Sequence, residues 1–345
     1  MTKKNLAVLF GGASPEYPVS LQSASTVLEY VDRSRYQVLP IGISQEGEWF
    51  HYTGALEHIA ADTWQEDAAH CRPIALSQNR RQRGFFTLSA TGAIFTPLDL
   101  ALPMLHGENG EDGTVQGLFA LAGIPVVGCG VLASALCMDK HRAHLLAAAA
   151  GIAVPRGMVL EKGDEGITKR LPYPLFVKPL RAGSSFGISK VSAPSALPQA
   201  IALARRYDEK VLVEEAIDGF EVGCAVLGRD RLRVGRVDEI ALQTDFFDYK
   251  EKYTLETAKI HMPARIDAAT ERRIQQTAQT IYRVLGCDGF ARVDCFLTPE
   301  GRIVFNEVNT IPGMTAHSRY PNMMKGAGLS FSQMLAELLA LYKEV

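Results

Sequence analysis

Apolar positions in the first third of the chain alternate between short solid runs and helical spacing. Residues 6–10 (LAVLF) form a run that stops at the Gly11-Gly12 pair, and Leu21, Ala24, Leu28 and Val31 then recur on one helical face. This is a β-α-β opening. Runs at 38–43, 98–105 and 124–127 continue the buried strands, and Val115, Leu118, Phe119 and Ala122 mark a second helix. Together they predict an open, mostly parallel α/β unit over residues 1–127. Residues 45–95 break the rhythm. WFHYTG and QNRRQRG read as turns there, so the segment is expected to be an excursion from the sheet.

A second unit is expected over residues 128–218, with an Ala-rich helix at 133–150, a strand into Lys178, a Gly/Ser loop, a helix from about Ser195 and a strand ending at Glu214 and Glu215. A third, 219–345, opens on alternating segments at 221–227 and 232–242 that predict antiparallel strands. The polar, aromatic stretch TDFFDYKEKYTLETAK follows, too irregular for a core and suited to a lid. Ile266, Ile274, Ile281, Val284 and Leu285 then mark a helix, followed by a hairpin and a closing helix from Ser330.

Composition narrows the function. At 345 residues and 47% hydrophobic, the chain can build several cores. Thirty-six basic residues stand against 38 acidic ones with no long run of either sign, which argues against nucleic acid or a membrane surface and for small-molecule partners. The apolar run after MTKKN is shorter than a signal-peptide core, and residues 145–154 are too few to span a bilayer. Six cysteines without a C-x-x-C pair read as buried thiols in a reducing cytoplasm.

Candidate chemistry concentrates in the hairpin formed by FARVDCFL and RIVFNEVN. With Glu300 and Gly301 as a two-residue turn, Asp294 falls opposite Glu307 and Arg292 opposite Asn309, all on one face, while Val293, Cys295 and Val308 point to the other. Two carboxylates and an amide beside an arginine suit a hard divalent ion and the phosphates it carries. A solvated face laced by ion pairs has the same pattern, and the residues leave both open. Lys178 precedes a small-residue loop whose N–H groups can cradle phosphate, or which is a plain surface turn. That loop contains Gly183-x-Ser185-x-Gly187, the pattern of a serine hydrolase elbow. An elbow needs strand-turn-helix, whereas residues 188–191 read as strand. No P-loop pattern occurs. HGENGEDG (106–113) opens a helix whose N-terminus favours anions, and GGASPEYPVS places Glu16 at the carboxyl ends of the strands.

These segments, taken with MDK (138–140), VEEAIDGFE, FFDYKEKY and NEVNTIPGMTAHSRYP, resemble in order the D-alanine–D-alanine ligase family of the ATP-grasp superfamily over nearly the whole chain. The resemblance implies an ATP-grasp fold and an ATP-dependent, cytoplasmic ligase of peptidoglycan precursor synthesis, with a homodimer as the expected assembly. Lys140 and Lys178 would hold the ATP phosphates, Glu214 and Glu215 the adenine side, and Glu221 the ribose. Asp294, Glu307 and Asn309 would bind two Mg²⁺, which Mn²⁺ can replace. Glu16 would pair with the first D-alanine in a network with Ser184 and Tyr253, and His106 would lie near that substrate. Arg292 and the Gly313 N–H would form an oxyanion hole, with Lys252 and Ser318 reaching the phosphoryl group and the second substrate's carboxylate. Phe247 departs from the tyrosine many members carry. Arg319 in HSRYP resembles the vancomycin-resistance ligases. Lys252 and Tyr253 do not fit the lactate makers, so the best likeness is to VanG-type D-alanine–D-serine ligases, with Arg319 expected to help select D-serine. The housekeeping D-alanine–D-alanine activity is the alternative and a serine hydrolase the distant one.

Overall fold

The computed structural model describes residues 3–162, 171–242 and 258–342. The chain opens with β1 (Lys4–Gly11), α1 (Tyr17–Tyr30), β2 (Tyr36–Ile43), β3 (Trp49–Tyr52), α2 (Leu56–Ala60), β4 (Cys71–Leu76), β5 (Gly84–Ser89), β6 (Gly92–Pro97), β7 (Leu100–Pro103) and α3 (Thr114–Ala122). The strands form one seven-stranded sheet in the order β6-β5-β4-β3-β2-β1-β7. Only β2-β1-β7 is parallel; the other pairings are antiparallel. The segment 45–95 is thus not an excursion but an antiparallel extension of the same sheet. WFHY, read as a turn, is β3, where its aromatic residues line a pleated surface. Residues 124–127 contribute a single parallel bridge, Val126 to Ala101. The predicted positions Leu21, Ala24 and Leu28 on α1, and Val31 at its C-cap, are all buried.

Next come α4 (Val131–Met138) and α5 (Lys140–Ala149), two helices where one was expected. The break is Asp139. Its extended backbone ends α4, and its carboxylate accepts from the Arg142 N–H at 3.0 Å as the N-cap of α5. Four strands, β8 (Gly157–Leu160), β9 (Leu175–Pro179), β10 (Ser189–Val191) and β11 (Val211–Glu215), then form a sheet in the order β10-β9-β11-β8, packed on α6 (Leu197–Ala204).

The third sheet contains β12 (Phe220–Gly228), β13 (Leu232–Leu242), β14 (Ala258–His261), β15 (Gly289–Leu297) and β16 (Ile303–Asn309), in the order β14-β13-β12-β15-β16. One face packs on α7 (Ala268–Val284), whose Ile274, Ala278, Ile281 and Tyr282 are buried at helical spacing. Against the other face lie α8 (Arg319–Gly326) and α9 (Phe331–Ala340), the latter begun by a capping box from Ser330 and Gln333. One apolar cluster runs without interruption from Leu6, Val8 and Leu21 of the first unit to Met314, Tyr320 and Leu335 of the last. This shared core fixes the two ends of the chain against each other, and the site lies where they meet. Among the described residues no helix is long and apolar enough to cross a membrane.

Candidate active site

The β15–β16 hairpin pairs Arg292 with Asn309, Val293 with Val308 and Asp294 with Glu307, as the two-residue turn would give. The turn itself is different. The Gly301 N–H bonds the Thr298 carbonyl at 2.9 Å and Gly301 takes φ +77°, so Pro299, Glu300 and Gly301 form a three-residue loop. Near the turn Cys295 therefore faces Phe305, and a bulge at Asn306 restores the register one step later. The bulge also aims Asn306. Its carbonyl accepts from His144 Nε2 at 2.7 Å, and its side-chain oxygen lies 3.4 Å from Lys178 Nζ. Asn306 and His144 were not singled out from sequence, because a bulge leaves no mark in the alternation.

Two lysines converge on this edge. Lys140, the first residue of α5, donates to the Ala182 carbonyl at 2.6 Å and lies 3.9 Å from Glu307 Oε2. Lys178 pairs with Glu214 Oε1, and both are buried. Glu214 Oε2 is buried with no hydrogen-bond partner among the described residues, an acceptor aimed at a ligand's donor. Glu215 is not part of this cluster. Successive strand residues face opposite ways, and its carboxylate holds Arg156 at 2.6 Å on the other face of β11.

The hairpin face carries Asp294, which accepts from Arg292 Nε and Nη2 at 2.9 and 2.7 Å and from Asn309 Nδ2 at 2.9 Å. Among the described residues no group of three or more His, Cys, Asp or Glu side chains could hold a metal. Asp294, Glu307 and the Asn309 amide are instead an oxygen-donor set suited to Mg²⁺ that keeps phosphate and water ligands, so the residues fit the ion. Arg319 reaches the same face. It donates to Asp238 at 2.7 and 2.8 Å and to Glu221 at 2.8 Å, and lies 3.4 Å from Asp294. Its Nε, Nη1 and Nη2 each donate to a carboxylate, which occupies three of the five guanidinium N–H donors. Glu221, expected at the ribose, is one of these partners. Space for this cluster comes from Gly223 on the central strand β12. A Cβ there would lie 2.3 Å from Arg319 Nη2 and 2.8 Å from both Asp238 Oδ1 and Asp294 Oδ1.

Across the cleft, Glu16 ends the turn after β1 and accepts from the Ser184 hydroxyl. Ser184 and Ser185 both take left-handed backbone angles, φ +49° and +60°. The loop they lie on leads into β10, antiparallel to β9, so the strand-turn-helix context of a hydrolase elbow is absent. Gly107 is squeezed against Glu16: at φ +74°, a Cβ would lie 2.4 Å from Glu16 Oε2. A cleft of about 630 Å³ opens between Glu16, Gly107, Asp139 and Gly183.

His106 is buried, and burial drives its imidazole down to about 4, so the ring is neutral at pH 7. Its Nδ1 donates to the Ile311 carbonyl at 2.8 Å, which leaves Nε2 to accept from the Ser23 hydroxyl at 3.1 Å. Both ring nitrogens of His106, the residue expected near the first substrate, are thus engaged within the protein and hold the 311–314 loop. Ser318 is likewise engaged, accepting from the Thr315 N–H at 3.0 Å. Lys252, Tyr253 and Phe247 lie outside the described residues, as does most of the expected lid.

Comparison with known proteins gives the family. Residues 5–129 match the model of the D-ala D-ala ligase N-terminus and residues 146–340 that of its C-terminus. The chain is 59% identical to the VanG D-Ala:D-Ser ligase of Enterococcus faecalis, whose structure aligns with a TM-score of 0.93 over 99% of this chain and 100% of that one. It is 32% identical to the D-alanine-D-alanine ligase of Coxiella burnetii, with a TM-score of 0.88 over 99% and 94% of the two chains. Over 347 residues, 99% of each chain, it is 44% identical to the vancomycin C-type resistance protein VanC1 of Enterococcus gallinarum. With matched models over both halves, the ATP-grasp fold of these neighbours and a hydrolase elbow ruled out by its strand context, the chain belongs to the D-alanine–D-alanine ligase family of ATP-dependent ligases.

Proposed function

We propose that this ligase activates D-alanine as D-alanyl phosphate and joins it to D-serine, making a precursor terminus associated with vancomycin resistance. The observation that carries the ligase chemistry is that Lys140 joins the hairpin to the small-residue loop: it lies 3.9 Å from Glu307 and bonds the Ala182 carbonyl, two residues before the Ser184 that holds the Glu16 carboxylate. What supports D-serine is the 59% likeness to the VanG D-Ala:D-Ser ligase.

A carboxylate resists attack by an amine, so its oxygen first takes the γ-phosphoryl group and ADP leaves. Lys140 and Lys178 bind the phosphates, and the unpartnered Glu214 Oε2 accepts from the base. Two Mg²⁺, held by Asp294, Glu307 and Asn309, would supply charge neutralisation at the transferred phosphoryl group. Glu16, kept in place by Ser184, holds the ammonium of the first D-alanine. The deprotonated amine of the second substrate then attacks the acyl carbon. The carbonyl electrons move onto oxygen, Arg292 and the Gly313 N–H stabilise that oxyanion, and its collapse expels inorganic phosphate. Among the described residues Arg292 Nη1 and the Gly313 N–H have no acceptor, which suits that duty.

The test is product identification after incubation with ATP, Mg²⁺, D-alanine and D-serine. D-Ala–D-Ser should predominate with some D-Ala–D-Ala. A D-Ala–D-Ala product alone would return the chain to the housekeeping activity, and the absence of D-alanine-dependent ADP release would end the ligase reading.

A further inference from the structure

Gly313 lies between two anchors that belong to the opposite end of the chain. On one side the Ile311 N–H donates to Glu111 Oε1 at 2.8 Å, and the Ile311 carbonyl accepts from His106. On the other the Met314 N–H donates to Ser23 Oγ at 3.1 Å, and Ser23 in turn donates to His106. Ser23 is fully buried on α1, while Glu111 and His106 lie on the loop after β7. Glu111 has a second grip. Its Oε2 accepts from the N–H of Gly107, the residue pressed against Glu16.

We propose that Glu111 and Ser23 are positioning residues for the acyl-transfer step, clamping the Gly313 amide from both sides at the place where the tetrahedral oxyanion forms. A carboxylate is required at 111 because two N–H donors, from Gly107 and Ile311, converge on its two oxygens. A glutamine offers one acceptor and turns its amide N–H toward the other donor. A hydroxyl is required at 23 because that oxygen accepts from Met314 while its proton serves His106. Neither side chain touches the phosphate edge, so the clamp acts on the second chemical step and not on the first. The burial of Glu111 and the nearby Glu16 charge push its carboxyl up to about 7, with Arg292 opposing them; Cys137 is the further titratable group within its field. An ammonium bound at Glu16 would relieve that repulsion and favour the ionised, two-acceptor form, which links first-substrate binding to the clamp.

This inference rests on the ligase reading, and the test separates the two. Positional isotope exchange in ATP with D-alanine alone reports acyl phosphate formation, and dipeptide synthesis reports both steps. In Ser23→Ala, and in Glu111→Gln with D-alanine held at saturation, exchange should stay within about threefold of the parent while kcat for dipeptide falls about 10- to 100-fold. Affinity for a phosphinate dipeptide mimic should fall by a similar factor with ADP affinity unchanged. Equal losses in exchange and synthesis, or an unaltered mimic affinity, would overturn the clamp. If one variant fails to fold, the other decides alone, because each removes a different side of the clamp. No exchange in the parent would instead refute the ligase reading.

Discussion

Arg319→Leu should cost stability before it alters specificity. The guanidinium side chain is 9% exposed and bonds Asp238, whose side chain is 0% exposed, through two of its nitrogens. It also holds Glu221 and lies against Asp294. Without it, Asp294 keeps Arg292 and Asn309, and Glu221, 18% exposed, can be reached by water. Among the described residues Asp238 then keeps only the Gly223 N–H at 3.0 Å. Removing one partner of a buried pair and leaving the other charged costs about 3–5 kcal/mol. Urea unfolding of the ligand-free protein at pH 7 measures that loss directly. Adding Asp238→Asn to Arg319→Leu removes the stranded charge and should restore roughly 2 kcal/mol, read as the coupling in a double-mutant cycle. Arg319→Lys should fall between, since one ammonium cannot bond Asp238 bidentately and still reach Glu221. A loss under about 1 kcal/mol for Arg319→Leu, or no coupling to Asp238, would refute this account of the cluster.

His106 and Glu111 should tilt the pH profile of stability in opposite directions. The lowered His106 pKa gives stability that is complete above about 6.5 and is lost as pH falls toward about 4, some 3 kcal/mol in all, whereas the raised Glu111 pKa gives stability present below about 4.5 and lost as pH rises through 7. Urea unfolding across that range should therefore show stability rising with pH more steeply in Glu111→Gln and less steeply in His106→Gln than in the parent; unchanged slopes would count against both environments. Asp294→Asn and Glu307→Gln should each cut Mg²⁺-dependent ADP release at least about 100-fold with circular dichroism intact, and retained turnover in both would remove the metal assignment. Gly107→Ala places a methyl against Glu16 at φ +74°, so the KM for the first D-alanine should rise about tenfold or more at saturating ATP. An unchanged KM would argue that the loop yields freely.

How far the sequence could be read depended on whether a feature is written locally. The helical face of α1, the start of the closing helix at Ser330 and the pairing of Asp294 with Glu307 follow from spacing and side-chain type, and all three stand in the structure. The pairing was reached through a turn one residue too short, and the Asn306 bulge cancelled that difference. Asp139 breaks the Ala-rich helix, though a capping aspartate before KHR was visible in principle. The antiparallel strands β3–β6 were missed because exposed positions such as Ile94 and Leu88 leave no clean alternation. The Arg319 cluster and the Gly313 clamp were out of reach, since Asp238 and Ser23 lie 81 and 291 residues from Arg319 and Met314 along the chain. Only the tertiary fold brings them together.

Gly223 sets an order on how such a site can arise. With a side chain at that position, the space above β12 is filled, and an arginine arriving at 319 would find no room to lie between Asp238 and Asp294. The arginine alone would be harmful, and the glycine alone would leave a gap between carboxylates. An evolutionary path to this arrangement is therefore easiest when position 223 loses its side chain first and 319 changes afterwards. The reverse path is constrained in the same way. Once Arg319 is in place, a substitution at 223 is closed off unless 319 changes back before it, so the two positions should behave as an epistatic pair in any reconstruction of intermediates.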